Sequence, residues 1–291
     1  MVLLIVTIGV SVPSLYKKYG MQRTSQLDDR DIEHWQYLNG VIVGAEEINI
    51  QGSKEECWLL IHGYIASPDE FSELADKIHN ETGDTVRAIR LTGHGEVPSK
   101  VIGKNIYDWY LEADKAYLDM AKTCGQVNLV GQSMGGAIVL RIAEERDTGN
   151  IYVLSPWIYL YPKATAEWKL KLFGWIANYK IKPTSGKVND PEMQGKHIGY
   201  LNMPLDPVLD SLKLIKETRK RLSEIDEPIL VQQSTGDTTT DIKGAILLYD
   251  EVSSTVKDSK IYERSNHLLL EDYDREKVME EILKFNRRAN R

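Results

Sequence analysis

Short apolar runs that alternate with amphipathic stretches restrict this 291-residue chain to few architectures. Residues 46–61 read as two short strands, the second ending in "CWLLI" (Cys57–Ile61). "TVRAI" (85–89), "VNLVG" (127–131), "IYVLS" (151–155), "PILVQ" (228–232) and "SKIYE" (259–263) read as further strands. Residues 69–80, 105–122, 135–147, 241–252 and 274–288 space their apolar side chains near 3.6 and are expected to be helical. Strand and helix taking turns require crossovers, so the expected fold is α/β, a mostly parallel sheet flanked on both faces by helices.

One interval breaks the rhythm. Residues 156–227 separate two strands that a single crossover would join in far fewer, and so predict an inserted subdomain. Residues 19–155 and 228–291 then make the core. The insertion holds Trp157, Trp168 and Trp175, and "WKLKLFGWIANY" sets Trp168, Leu172, Trp175, Ile176 and Tyr179 along one helical face. With 12 Lys/Arg against 9 Asp/Glu it is the basic part of a chain whose net charge is -7.

That acidic balance, with no basic run interleaved with aromatics, excludes nucleic acid as an expected partner. Cys57 and Cys124 are too few and too distant in sequence for a disulfide framework or a zinc site, and read as two small buried hydrophobes. Neither a metal-ligand cluster nor a cofactor motif occurs, so no metal or organic cofactor is expected. "MVLLIVTIGVSVPSLY" carries no charge and is followed by Lys17 and Lys18. As a helix it would reach about 24 Å, short of the roughly 30 Å hydrocarbon core. Residues 1–18 are read as a short membrane anchor, ahead of a cleaved signal or a buried first segment. The lysines on its carboxy-terminal side would leave the body of the chain in the cytoplasm, with a soluble cytoplasmic or exported protein as alternatives.

The most chemically specific stretch is "NLVGQSMGGAIVL". Gly131-Gln132-Ser133-Met134-Gly135 is G-x-S-x-G between a strand and a helix, the context in which the central serine is forced onto a sharp turn with its hydroxyl displayed. Ser133 is the candidate nucleophile. A serine needs a base to take its proton. Among the histidines, His267 in "ERSNHLLLED" follows the last strand and shares the sheet edge with Ser133. His34, His79 and His197 read as surface or packing residues, and His62 and His94 as residues that order loops. The acid that orients the base is sought in "PILVQQSTGDTTTD". Asp237 lies early in that loop, whereas Asp241 precedes a helix it would cap. The chain order Ser133, Asp237, His267 is the order of α/β-hydrolases. The backbone N–H groups of Met134 and Tyr64 are the expected oxyanion donors, and the side chains of Tyr64, Trp157, Trp168 and Trp175 are candidates to line the substrate pocket.

On "LLIHGYIASPDEF", "RLTGHGEVP", "WYLEADKAYLDM", "LVGQSMGGAIVL", "QSTGDTTTD" and "SNHLLLED", residues 44–288 resemble the α/β-hydrolase superfamily, and within it the monoglyceride lipase and lysophospholipase-like carboxylesterases. The resemblance implies an α/β-hydrolase fold with the 156–227 insertion as a helical cap, or lid. It also implies a serine hydrolase that cleaves esters of a single acyl chain, such as a monoacylglycerol or lysophospholipid, through an acyl-enzyme. The substrate would be a small acyl ester or lipid; separately, the apolar segment 1–18, the adjacent lysines and the basic, tryptophan-rich insertion suit contact with a membrane surface. Thioester hydrolysis and acyl transfer would use the same residues, and a non-catalytic hydrolase-fold binding protein is the alternative from another class.

Overall fold

Consecutive residues on a strand face opposite ways, and here both faces are apolar. Leu59, Ile61, Leu129, Val153 and Val231 pack on one side of the sheet, Trp58, Leu60, Val130, Tyr152, Leu154 and Leu230 on the other. The computed structural model describes residues 21–22, 27–161 and 179–290. Its main sheet has seven strands: β1 (Ile48–Ile50), β2 (Ser53–Ile61), β3 (Asp84–Ile89), β4 (Gln126–Gln132), β5 (Ile151–Leu154), β6 (Ile229–Ser234) and β7 (Lys257–Tyr262). Their spatial order is β7-β6-β5-β4-β2-β3-β1, parallel throughout except for β1, which runs antiparallel to β3. The expected α/β-hydrolase fold is what forms.

Helices α1 (Ser72–Thr82) and α6 (Arg275–Ala289) cover one face. Helices α2 (Ile106–Ala121), α3 (Met134–Ala143), α4 (Asp206–Arg221) and α5 (Ile242–Glu251) cover the other. Local sequence sets their ends. Asn105 accepts the N–H groups of Tyr107 and Asp108 while the Asp108 carboxylate accepts the N–H of Asn105, a reciprocal cap that starts α2. Gly83, at φ +76°, ends α1 in the left-handed conformation a glycine tolerates best.

The cysteine expectation is corrected. Cys57 and Cys124 form a disulfide with their Cα atoms 6.0 Å apart. Separation in sequence was the wrong measure of distance. The chain leaves β2, builds β3 at one side of it, and returns through α2 to lay β4 along the other side, with Cys57 opposite Val127. Cys124, three residues before Val127, thereby arrives beside its partner.

The long interval between β5 and β6 is built of several pieces. Tyr179–Ile181 is the middle strand of a small antiparallel ribbon between Met21–Gln22 and Asn202–Pro204. Helix α4 then packs against α2 and α3. The ribbon is held from the amino-terminal side: buried Asp31, in the short helix Asp29–His34, accepts the N–H groups of Leu201 and Asn202 at 2.8 and 3.1 Å. Residues 1–18, read as an anchor, and the tryptophan face at Trp168 and Trp175 lie outside the described residues. Among the described residues no helix is long and apolar enough to cross a membrane.

Candidate active site

Ser133 sits between β4 and α3 at φ +54° and ψ -111°, a conformation that a non-glycine residue adopts only under constraint. The constraint is steric. A Cβ on Gly131 would lie 2.4 Å from the carbonyl oxygen of Gly135, and one on Gly135 would lie 1.8 Å from that of Ile61. Glycine at both positions lets the turn close against the neighbouring strand, and the closed turn lifts the Ser133 side chain above the carboxyl edge of the sheet.

Two other loops at that edge meet it. The Oγ of Ser133 is 2.9 Å from Nε2 of His267, and Nδ1 of His267 is 2.8 Å from Oδ2 of Asp237. All three residues are buried. A proton on Nδ1, donated to the carboxylate, leaves Nε2 as an acceptor for the serine hydroxyl. Asp237 also accepts the N–H groups of Thr239 and Thr240 and the Thr240 hydroxyl. Burial pushes its carboxyl up, but the charge and hydrogen bond of His267 and the N–H groups of Thr240 and Thr239 outweigh it, and the group is held below its ordinary value. Asp241 lies apart from this chain and N-caps α5, accepting the N–H of Lys243 at 3.0 Å.

The loop after β2 closes the site from the other side. A Cβ on Gly63 would stand 3.4 Å from that of Ser133. Both peptides flanking Gly63 are pinned. Its N–H donates to Glu70 Oε1 at 2.7 Å, and its carbonyl accepts from His62 Nδ1 at 2.8 Å and from the N–H of Ala66 at 3.3 Å. His62 Nε2 in turn accepts the N–H of Leu91, which fixes its neutral tautomer. Burial holds the His62 imidazole down to about 4, so it orders the loop as a neutral ring. His94, also fully buried, packs edge-on against His62 and Trp109 and flat against Tyr200. His34 is exposed, His79 Nδ1 contacts the carbonyl of Asp84, and His197 Nδ1 lies 2.7 Å from Glu271.

Among the expected pocket residues, Tyr64 is half-buried against Trp109 and His94, and its hydroxyl donates to the carbonyl of Pro204 at 2.8 Å. Trp157 donates its backbone N–H to the carbonyl of Ser133, and its side chain is buried with Nε1 unpartnered among the described residues. Met134 opens α3 directly after the serine.

Sequence reading missed the supports around these groups. The Gln132 amide donates to the carbonyl of His267 at 3.0 Å. Asp272 accepts the N–H groups of Asn189, Asp190 and Asn266, tying the long interval to the His267 loop. Most of these contacts end on backbone groups, which leave no pattern of residue types. Among the described residues no group of three or more His, Cys, Asp and Glu could hold a metal ion.

Comparison with known proteins agrees with this architecture. A thermostable monoacylglycerol lipase of Bacillus sp. (strain H-257) is 25% identical over 228 residues, 78% of this chain and 88% of that protein. A carboxylesterase of Bacillus subtilis (strain 168) is 24% identical over 78% of this chain and 90% of its own length. The solved structure of one of two metagenome-derived lipolytic enzymes matches with a TM-score of 0.78 at 24% identity, over 85% of this chain and 99% of that one. Residues 52–274 match the Hydrolase_4 family, described as serine aminopeptidase, S33. The chain belongs to that family and is a hydrolase of the α/β-hydrolase fold, with ester-cleaving relatives.

Proposed function

We propose that the chain is a serine esterase for single-chain acyl esters, with Ser133 as nucleophile, His267 as base and Asp237 as the acid that orients it. The observation that carries the reading is the unbroken line of hydrogen bonds from Asp237 through His267 to a strained Ser133. Ser133 Oγ attacks the ester carbonyl as Nε2 of His267 takes its proton. The tetrahedral oxyanion is received by the backbone N–H groups of Tyr64 and Met134. Collapse expels the alcohol, which takes the proton back from His267. Water, deprotonated by the same nitrogen, then frees the acid from the acyl-enzyme.

Residues 156–227 are read as the cap, with Tyr64, Trp157, Trp168 and Trp175 along the acyl chain. The monoacylglycerol lipase and carboxylesterase relatives favour a lipid or simple ester as substrate. The apolar segment 1–18 and the basic insertion suit work at a membrane surface. The Cys57–Cys124 disulfide favours the exported alternative over a cytoplasmic one, because such bonds persist where the surroundings are oxidising.

The test is a panel of p-nitrophenyl esters from acetate to palmitate, beside monoacylglycerol, lysophospholipid and an aminopeptidase substrate, run on the wild type and on Ser133→Ala. Ester turnover that rises with chain length and vanishes in Ser133→Ala is expected. Turnover confined to the peptide, or retained in Ser133→Ala, overturns the reading. Trp168→Ala and Trp175→Ala should weaken long-chain esters more than acetate. Each buried methylene is worth roughly 0.8 kcal/mol.

A further inference from the structure

Glu70 is a buried acid that the hydrolytic steps above do not use. It lies in the single turn Pro68–Phe71 that follows the loop over Ser133, and its carboxyl points back into that loop. Oε1 accepts the N–H of Gly63 at 2.7 Å and would stand 3.9 Å from a Cβ built on Gly63. Oε2 is buried with no partner among the described residues.

We infer that Glu70 is a positioning residue for ester cleavage: its carboxyl oxygen holds the His62–Gly63 peptide so that the next N–H, that of Tyr64, faces the oxyanion. The inference rests on the serine esterase reading and deepens it. Gly63 has no side chain to limit its rotation, so its two dihedrals must be set by what its flanking peptides bind. His62 and Ala66 hold the carbonyl of the Gly63–Tyr64 peptide. A trans peptide directs its N–H opposite to its carbonyl, so the pinned carbonyl aims the Tyr64 N–H. Those bonds fix one dihedral of Gly63. On the other side, the Gly63 N–H is held by Glu70.

The charge on Glu70 matters as well as its oxygen. Its surroundings are acidic: Asp69 on its own turn and Glu271 on the turn after His267, the latter bonded to His197 of the long interval. His62, across the loop, is neutral. Burial first, then Glu271 and Asp69, push the Glu70 carboxyl well above its usual range against the Gly63 bond. A neutral carboxyl still accepts the Gly63 N–H. An ionised one would set a negative charge one residue from the donor meant for a developing oxyanion, and would oppose catalysis. Its ionisation should therefore lower kcat on the alkaline side.

The experiment compares Glu70→Gln and Glu70→Ala with wild type and Ser133→Ala, measuring kcat and KM for a soluble p-nitrophenyl ester from pH 6 to about 10 and the affinity for an alkylboronic acid, a tetrahedral mimic. Glu70→Gln keeps the accepting oxygen and cannot ionise. It should keep kcat and boronate affinity near those of wild type with neutral Glu70, and any fall in wild-type kcat that comes from Glu70 ionising should be absent from it. Glu70→Ala should lose roughly 10- to 100-fold in kcat and in boronate affinity with KM little changed, less than the loss of a whole oxyanion donor. If Glu70→Ala does not fold, Glu70→Leu, which fills the space without an accepting oxygen, takes its place. The inference is overturned if Glu70→Ala stays within about twofold of wild type in kcat, or if Glu70→Gln, which keeps the accepting oxygen, falls as far as Glu70→Ala. Activity retained in Ser133→Ala would instead overturn the esterase reading itself.

Discussion

Oδ2 of Asp237 and Nδ1 of His267 meet at 2.8 Å although 30 residues of chain separate them. The parallel pairing of β6 and β7 brings the loops after both strands to one edge. Asp237→Asn should therefore preserve folding and lower kcat by about 10⁴, because an amide can hold the imidazole in the wrong tautomer. Asp241→Ala should cost about 1 kcal/mol of stability and leave turnover near normal, since it removes a helix cap that stands apart from the Asp237–His267 pair. Steady-state kinetics and thermal melting of the two variants separate the roles, and an inactive Asp241 variant beside an active Asp237 variant would reverse them.

The disulfide closes a loop across 67 residues. Loop-closure entropy at that length corresponds to about 4 kcal/mol. Reduction, or the double change Cys57→Ala and Cys124→Ala, should lower the urea midpoint accordingly. An unchanged midpoint after verified reduction would show that the bond adds nothing to the fold.

Gly135→Ala should abolish both the turn and the activity, because its new Cβ would fall 1.8 Å from backbone on β2 that cannot retreat. Gly40→Ala is the control. Gly40 also has positive φ, at +82°, but a Cβ there meets nothing within 4 Å, so only local strain is expected. Equal activity in both variants would contradict the steric account of the serine turn.

Asp31 predicts a pH dependence of stability. Burial raises its carboxyl from 3.8 to about 6, against the N–H bonds of Leu201 and Asn202 and the charges of Arg30 and Lys182. The folded state thus holds a proton that the unfolded chain releases, so this contribution is full below about 4 and lost as pH rises through about 6. The loss amounts to about 3 kcal/mol. Urea titrations at both ends of that window should show it in the wild type and not in Asp31→Asn. The same slope in both would assign it to another group.

What could be read from sequence follows from where the information lies. Ser133 and His267 were legible because one sits in a local pattern with a steric meaning and the other is placed by parallel topology. Asp241 betrayed itself by standing just before a helix, which left Asp237 for the histidine. The Cys57–Cys124 pair was not legible, because it depends on β4 returning to the far side of β2, a matter of strand order. Glu70 and Asp31 were missed for another reason: each binds backbone N–H groups at Gly63 or at Leu201 and Asn202, and no residue type signals that a backbone donor will need a partner.

The central claim is that Ser133 forms a covalent acyl-enzyme, and the most direct test is peptide mass spectrometry after brief exposure to a fluorophosphonate. The account predicts one adduct, on the peptide carrying Ser133, with labelling slowed by several orders of magnitude in His267→Ala. An unlabelled Ser133 in folded protein, or an adduct formed equally fast without His267, would contradict it.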